Sequence, residues 1–105
     1  MSEGTGNTAR PEVTHNARAG RFELHVGEAM AVLEYEVDGN RMAIFHTGVP
    51  SELEGRGYGG QLARAALEHA KSNGLRVIPQ CSFVAAYISR HPEYASLVAG
   101  SREGE

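Results

Sequence analysis

From position 54 the chain reads Glu54-Gly55-Arg56-Gly57-Tyr58-Gly59-Gly60, with glycine at four of seven positions. Glycine lets backbone N–H groups turn toward a common point with no side chain in the way. A helix starting just behind adds the positive potential of its unpaired first-turn amides. Such a nest suits a phosphate or pyrophosphate, and Arg56 could supplement the amides as a charge-assisted donor. Upstream lies His46-Thr47-Gly48-Val49-Pro50; downstream lie Cys81, the single cysteine, and Tyr87. His46 follows an apolar run and could serve as a base near neutral pH, or be satisfied by the loop backbone, with Thr47 orienting it or touching a ligand. Cys81, ahead of a helix start, has three readings: a nucleophile of lowered pKa, a noncovalent pocket wall, or a small packed side chain. Tyr87, read from its spacing alone, is a core tyrosine with its hydroxyl satisfied. Glu52 and Glu54 could attract a cationic amine or simply be solvated.

Two familiar phosphate loops do not fit. A P-loop needs Gly-Lys-Ser/Thr, whereas Gly59-Gly60-Gln61 stands here with no lysine. A dinucleotide fingerprint needs an acid closing the next strand, where this chain has Ile78-Pro79. The five histidines do not form a metal site, because no pair at ligand spacing is backed by a third ligand.

The elements that must position these residues follow from periodicity. Phe22, Leu24 and Val26 alternate with Glu23 and His25, the pattern of a half-buried strand. Gly27-Glu28 supplies a turn, and a second strand over 30–37 presents Leu33, Tyr35 and Val37 on one face. Asp38-Gly39 then predicts a hairpin into a third strand over 41–47. After the glycine loop, Leu62, Ala63, Ala66, Leu67 and Ala70 recur at helical spacing from Gln61 until Asn73-Gly74. Leu75 to Ile78 reads as a short central strand. A second helix follows, with Ser82 as cap and Phe83, Tyr87 and Ile88 inward, ended by His91-Pro92. A further short strand near 94–98 is optional. This order predicts an α/β (α+β) domain, a mixed and mostly antiparallel sheet flanked by helices with a right-handed crossover.

At 105 residues and 11.3 kDa the chain has room for one sizeable core. Residues 1–16 read as a flexible leader, with at most a late segment pairing onto the domain; 17–99 form the domain and 100–105 a polar tail. A net charge of −3, with Lys71 the one lysine among ten basic residues, gives no basic stripe for nucleic acid. No apolar run approaches a membrane span. One cysteine excludes an internal disulfide framework, and a cytoplasmic setting is the expectation.

The glycine segment resembles motif A of the Gcn5-related N-acetyltransferase superfamily, Gln/Arg-x-x-Gly-x-Gly/Ala, with Gly57 and Gly59 at its glycines and Glu54 at its first position. Ala85-Ala86-Tyr87-Ile88-Ser89-Arg90-His91-Pro92-Glu93-Tyr94 is similar to the family's later helix, with Tyr87 at the tyrosine that often serves as general acid. His46-Thr47-Gly48-Val49-Pro50 and Cys81 match the small YjdJ-type acetyltransferase-like subgroup, and the resemblance spans about 21–94. It implies a minimal acyl-CoA N-acyltransferase-like fold that uses acetyl-CoA as cosubstrate and needs no metal. It also implies transfer to a small-molecule or protein amine, with Thr47, Val49, Cys81, Tyr87 and the segment from Glu54 to Gly60 around the cosubstrate. A backbone donor near Val49 would hold the thioester carbonyl. Glu54 puts a negative charge where the family has Gln or Arg, and the usual Asn before the tyrosine is missing. These departures motivate the alternatives: a noncatalytic acyl-CoA-binding or regulatory module, or a protein-interaction domain. So short a chain leaves little room for an acceptor wall, which a protein partner or a second copy could complete.

Overall fold

Three successive strands are joined by the tightest turns the chain can make. The computed structural model describes residues 11–100. Strands β1 (Val13–Asn16), β2 (Arg21–Val26), β3 (Ala29–Asp38) and β4 (Arg41–Gly48) pair antiparallel in chain order. Gly27-Glu28 links β2 to β3, since Val26 faces Ala29 across the ladder. The next loop is Gly39-Asn40 rather than Asp38-Gly39, because Asp38 already pairs with Arg41. Gly39 has φ 63°, the positive value that a primed hairpin turn needs at its first loop residue.

Helix α1 (Tyr58–Ser72) crosses over to β5 (Arg76–Pro79), which joins β4 in parallel, and α2 (Ser82–Arg90) follows. The sheet order is β1-β2-β3-β4-β5. This mixed, mostly antiparallel sheet flanked by helices agrees with the expected class. The optional strand near 94–98 is largely replaced: Pro92–Leu97 forms a 3-10 helix, after which Val98 bridges to Val77 and Ala99 N–H donates to Val77 O at 2.8 Å. The sheet also takes in Val13–Asn16, which the sequence places at the end of the leader as a segment able to pair. The leader's first ten residues and positions 101–105 of the tail lie outside the described residues.

Alternation puts Phe22, Leu24, Ala31, Leu33, Ile44 and Val77 on one sheet face, all buried. Leu62, Ala63, Ala66, Leu67 and Ala70 of α1 cover that face, and their alanines let the helix sit close. Each large side chain taken out of water there contributes about 1.5–3 kcal/mol. Val37 lies on the same alternation but beyond the helix's cover, and is exposed. His15 ties β1 to this layer: its ring stacks on Phe22 with centroids 4.1 Å apart, and its Nε2 lies 2.5 Å from the Tyr35 hydroxyl.

On the opposite face Glu23 is buried among polar partners. It accepts from Arg21 Nε at 2.6 Å and from Asn16 Nδ2 at 2.9 Å, and His25 Nε2 lies 3.0 Å from its other oxygen. These hydrogen bonds, Arg21's first, hold its pKa down at about 2. The stabilisation is therefore present above its ordinary pKa of 4.5 and is lost as pH falls toward 2. Glu23→Gln should lower the melting temperature at pH 7, with the gap to wild type closing between about pH 4.5 and 2. Thermal melts across that range check it; a gap independent of pH would contradict this account.

Candidate functional site

The site begins with an irregularity in β4. Tyr35 pairs with Ile44 and Glu34 with His46, so Phe45 is an extra residue bulged out of the ladder. A plain period of two would put His46 on the core face beside Met42 and Ile44. The bulge instead rotates Thr47 onto that face, opposite buried Leu33, and leaves His46 exposed.

The same stretch is where β4 and β5 part. Their ladder ends at Ile44 and Pro79, and the N–H groups of Gln80 and Cys81 both donate to Ile44 O at 3.0 Å. Cys81 becomes the N-cap of α2 without a side-chain cap bond, and Ser82, expected as the cap, is the first helical residue. The Cys81 thiol donates to Thr47 Oγ1 at 3.4 Å. Burial alone would raise its pKa, but the hydrogen bond to the Thr47 hydroxyl and the pull of the nearby Val84 and Phe83 N–H groups, too loosely placed to cap the helix, outweigh it and hold the thiol below its ordinary value. Thr47→Val should therefore move the pH profile of Cys81 alkylation to higher pH and slow labelling at neutral pH. Iodoacetamide rates followed by mass spectrometry test this; an unmoved profile would show that Thr47 does not tune the thiol.

From Gly48 the chain turns away through Val49-Pro50 into a 3-10 turn (Ser51–Leu53), anchored by buried Leu53. Gly55 and Gly57 then take φ 81° and 83°, left-handed values that favour glycine, and a Cβ at either would meet open space. Gly57 is the N-cap of α1, which starts at Tyr58, three residues earlier than its apolar stripe predicts. The first helical hydrogen bond runs from Gln61 N–H to Gly57 O at 3.0 Å, so the N–H groups of Tyr58, Gly59 and Gly60 precede the ladder. No side chain caps them.

These parts enclose an open cavity of about 530 Å³. Thr47 and Val49 form its strand side; Glu54, Gly55, Gly57, Tyr58, Gly59 and Gly60 form its loop side. Gly48, Leu53 and Phe83 complete it and are additions to the expected set. Cys81 stands behind Thr47 rather than in the wall. Arg56 is exposed and outside the lining. His46 is not brought to the cavity either. Tyr87 is buried between the helices: its ring lies 3.6 Å from where a Gly60 Cβ would be and stacks on His91 at 3.9 Å. Burial raises its pKa, and the charges that act on it are Arg64, Glu93 and Glu68. Among the described residues, no group of three His, Cys, Asp or Glu side chains is placed to hold a metal ion.

The positive-φ glycines, the open space above them and the uncapped amides of α1 fit a pyrophosphate-bearing ligand. The exposed Glu54 carboxylate at the rim opposes it.

Residues 21–97 match the family model described as GCN5-related N-acetyl-transferase, and the chain belongs to that family. Among curated relatives it is similar to Protein NATD1 of Homo sapiens and of Bos taurus, each 32% identical over 83 residues, covering 76% of this chain and 74% of the relative. The solution structure of a GCN5-like protein from Staphylococcus aureus superposes with a TM-score of 0.69 at 33% identity, covering 90% of this chain and 94% of that one.

Proposed function

We propose that the protein is an acetyl-CoA-dependent N-acetyltransferase of the small YjdJ-type subgroup, acting on a small-molecule or protein amine. The observation that carries this reading is one continuous cavity joining the glycine nest to the Thr47 side of the β4–β5 gap, where Cys81 stands. When bound, acetyl-CoA supplies an acyl group already activated as a thioester. The nest would hold its pyrophosphate through the amides ahead of Gln61, with Gly55 and Gly57 leaving room for it.

Past Ile44 the ladder between β4 and β5 stops, so backbone groups of β4 near Val49 can serve the acyl carbonyl. Holding the carbonyl against an incoming amine supplies acceleration through proximity and orientation. Cys81, with its lowered pKa, stands one side chain back from the cavity, and Thr47 would have to turn aside for its sulfur to meet an acyl carbon. In one version its thiolate attacks the thioester carbonyl, forming an acetyl-Cys81 thioester as the bond to CoA breaks and CoA leaves as the thiol. The amine then takes the acetyl group and restores the Cys81 thiol. In the other version Cys81 backs Thr47 at the thioester end without reacting. His46 would act only on an acceptor approaching the outer face, and Tyr87 would need to turn its ring to reach the cavity.

Glu54 at the rim and the placement of Tyr87 outside the wall favour a second reading, an acyl-CoA-binding module without turnover. Titration calorimetry with CoA tests the pocket, and acetyl-CoA consumption across an amine panel, corrected for hydrolysis, separates the two. No CoA binding overturns both; binding without amine-dependent consumption favours the module. Mass spectrometry of Cys81 after mixing with acetyl-CoA reads the covalent version directly, with Cys81→Ala as control.

A further inference from the structure

The first turn of α2 bridges the two ends of the cavity. At Cys81 it touches Thr47, and two residues on, at Phe83, it reaches α1. A Cβ on Gly59 would lie 2.8 Å from Phe83 Cζ and 3.2 Å from Cε2, and its three nearest heavy atoms all belong to that ring. Phe83 nonetheless stays 38% exposed. It is the α2 side chain in the lining, and it departs from the inward set Val84, Tyr87 and Ile88. An aromatic ring held against a glycine with part of its surface in water is poised to cover something else.

We propose that Phe83 is the apolar wall that selects the linear, amide-bearing arm of an acyl-CoA, and that Gly59 is glycine to seat that ring. The proposal rests on the acyl-CoA reading of the cavity. A ligand with its anion on the nest and its reactive end at Thr47 has to run past Phe83. Covering the exposed part of the ring removes apolar surface from both partners, and the ring keeps water from the arm. A ligand that ends at its pyrophosphate gains nothing from Phe83.

The test is calorimetry with two probes, CoA and ADP, on the full chain. Phe83→Ala should weaken CoA about tenfold and leave ADP within about twofold, while Phe83→Leu recovers most of the loss. Gly59→Ala should also weaken CoA, because its Cβ displaces the ring, yet have no further effect in a Phe83→Ala background. Gly59 is helical, so alanine suits its backbone, and melting curves verify that each variant is folded. Equal losses for CoA and ADP, an unchanged CoA affinity in Phe83→Ala, or additive effects of the two substitutions would overturn the wall. If the wild-type protein binds neither probe, the acyl-CoA reading falls and the wall with it.

Discussion

Gly57→Val is expected to abolish most acyl-CoA binding while leaving a folded protein. Gly57 holds φ 83° as the N-cap of α1, and a β-branched residue there is forced either into strain of about 1–2 kcal/mol or out of the left-handed region. Leaving that region swings the N–H groups ahead of Gln61 away from their common point. Each hydrogen bond to a charged group is worth about 1.5–3 kcal/mol, so losing two of them weakens binding by at least about a hundredfold. The strain alone is small against the 5–15 kcal/mol of roughly typical domain stability. Circular dichroism and a melting curve establish the fold, and calorimetry with CoA reads the affinity. A folded variant that keeps wild-type affinity would remove the nest from the binding account.

Leu67→Ala reverses that profile. Leu67 is fully buried on the α1 stripe, roughly 12 Å along the helix from the nest amides. Truncation leaves a cavity and costs about 2–5 kcal/mol. Denaturant titration should show the midpoint falling with its slope unchanged, while CoA affinity measured well below the transition stays near wild type. Together the two variants separate folding from binding. A Leu67→Ala protein of undiminished stability would show that the site collapses without penalty, contrary to the close packing of α1.

Most of the architecture is legible because each element keeps one period long enough to be seen. The β2 alternation, the α1 stripe and the Asn73-Gly74 stop leave little choice. The candidate site is less legible, and the reasons are local. An extra residue in a strand leaves no mark in composition, so Met42, Ile44 and His46 read as one face; the bulge at Phe45 promotes Thr47 instead. Gly59 and Gly60 read as loop because glycine is a poor helix former, yet they are the first turn of α1. In α2, Phe83 and Val84 both stand at helical spacing from Tyr87, and neighbouring elements choose between them: Val84 goes to the core and Phe83 to the cavity. Tyr94 stands in what reads as a strand end, but Pro92 starts a 3-10 turn that directs its hydroxyl to Glu68 Oε2 at 2.6 Å. The side chains hardest to assign are those whose placement depends on a neighbour's departure from regularity.

The four-residue parallel joint between β4 and β5 also has a kinetic meaning. The strands from β1 to β4 are built from neighbours in sequence, so their contacts close short loops. The β4–β5 pairing, Arg41 with Arg76 through Ile44 with Pro79, closes a much longer one. The meander can therefore assemble before the crossover docks, and the cavity lies on the seam between the two. The longer loop closure favours late completion of the cavity's walls, and a ligand that spans the seam would then act as a clasp on the final step of assembly.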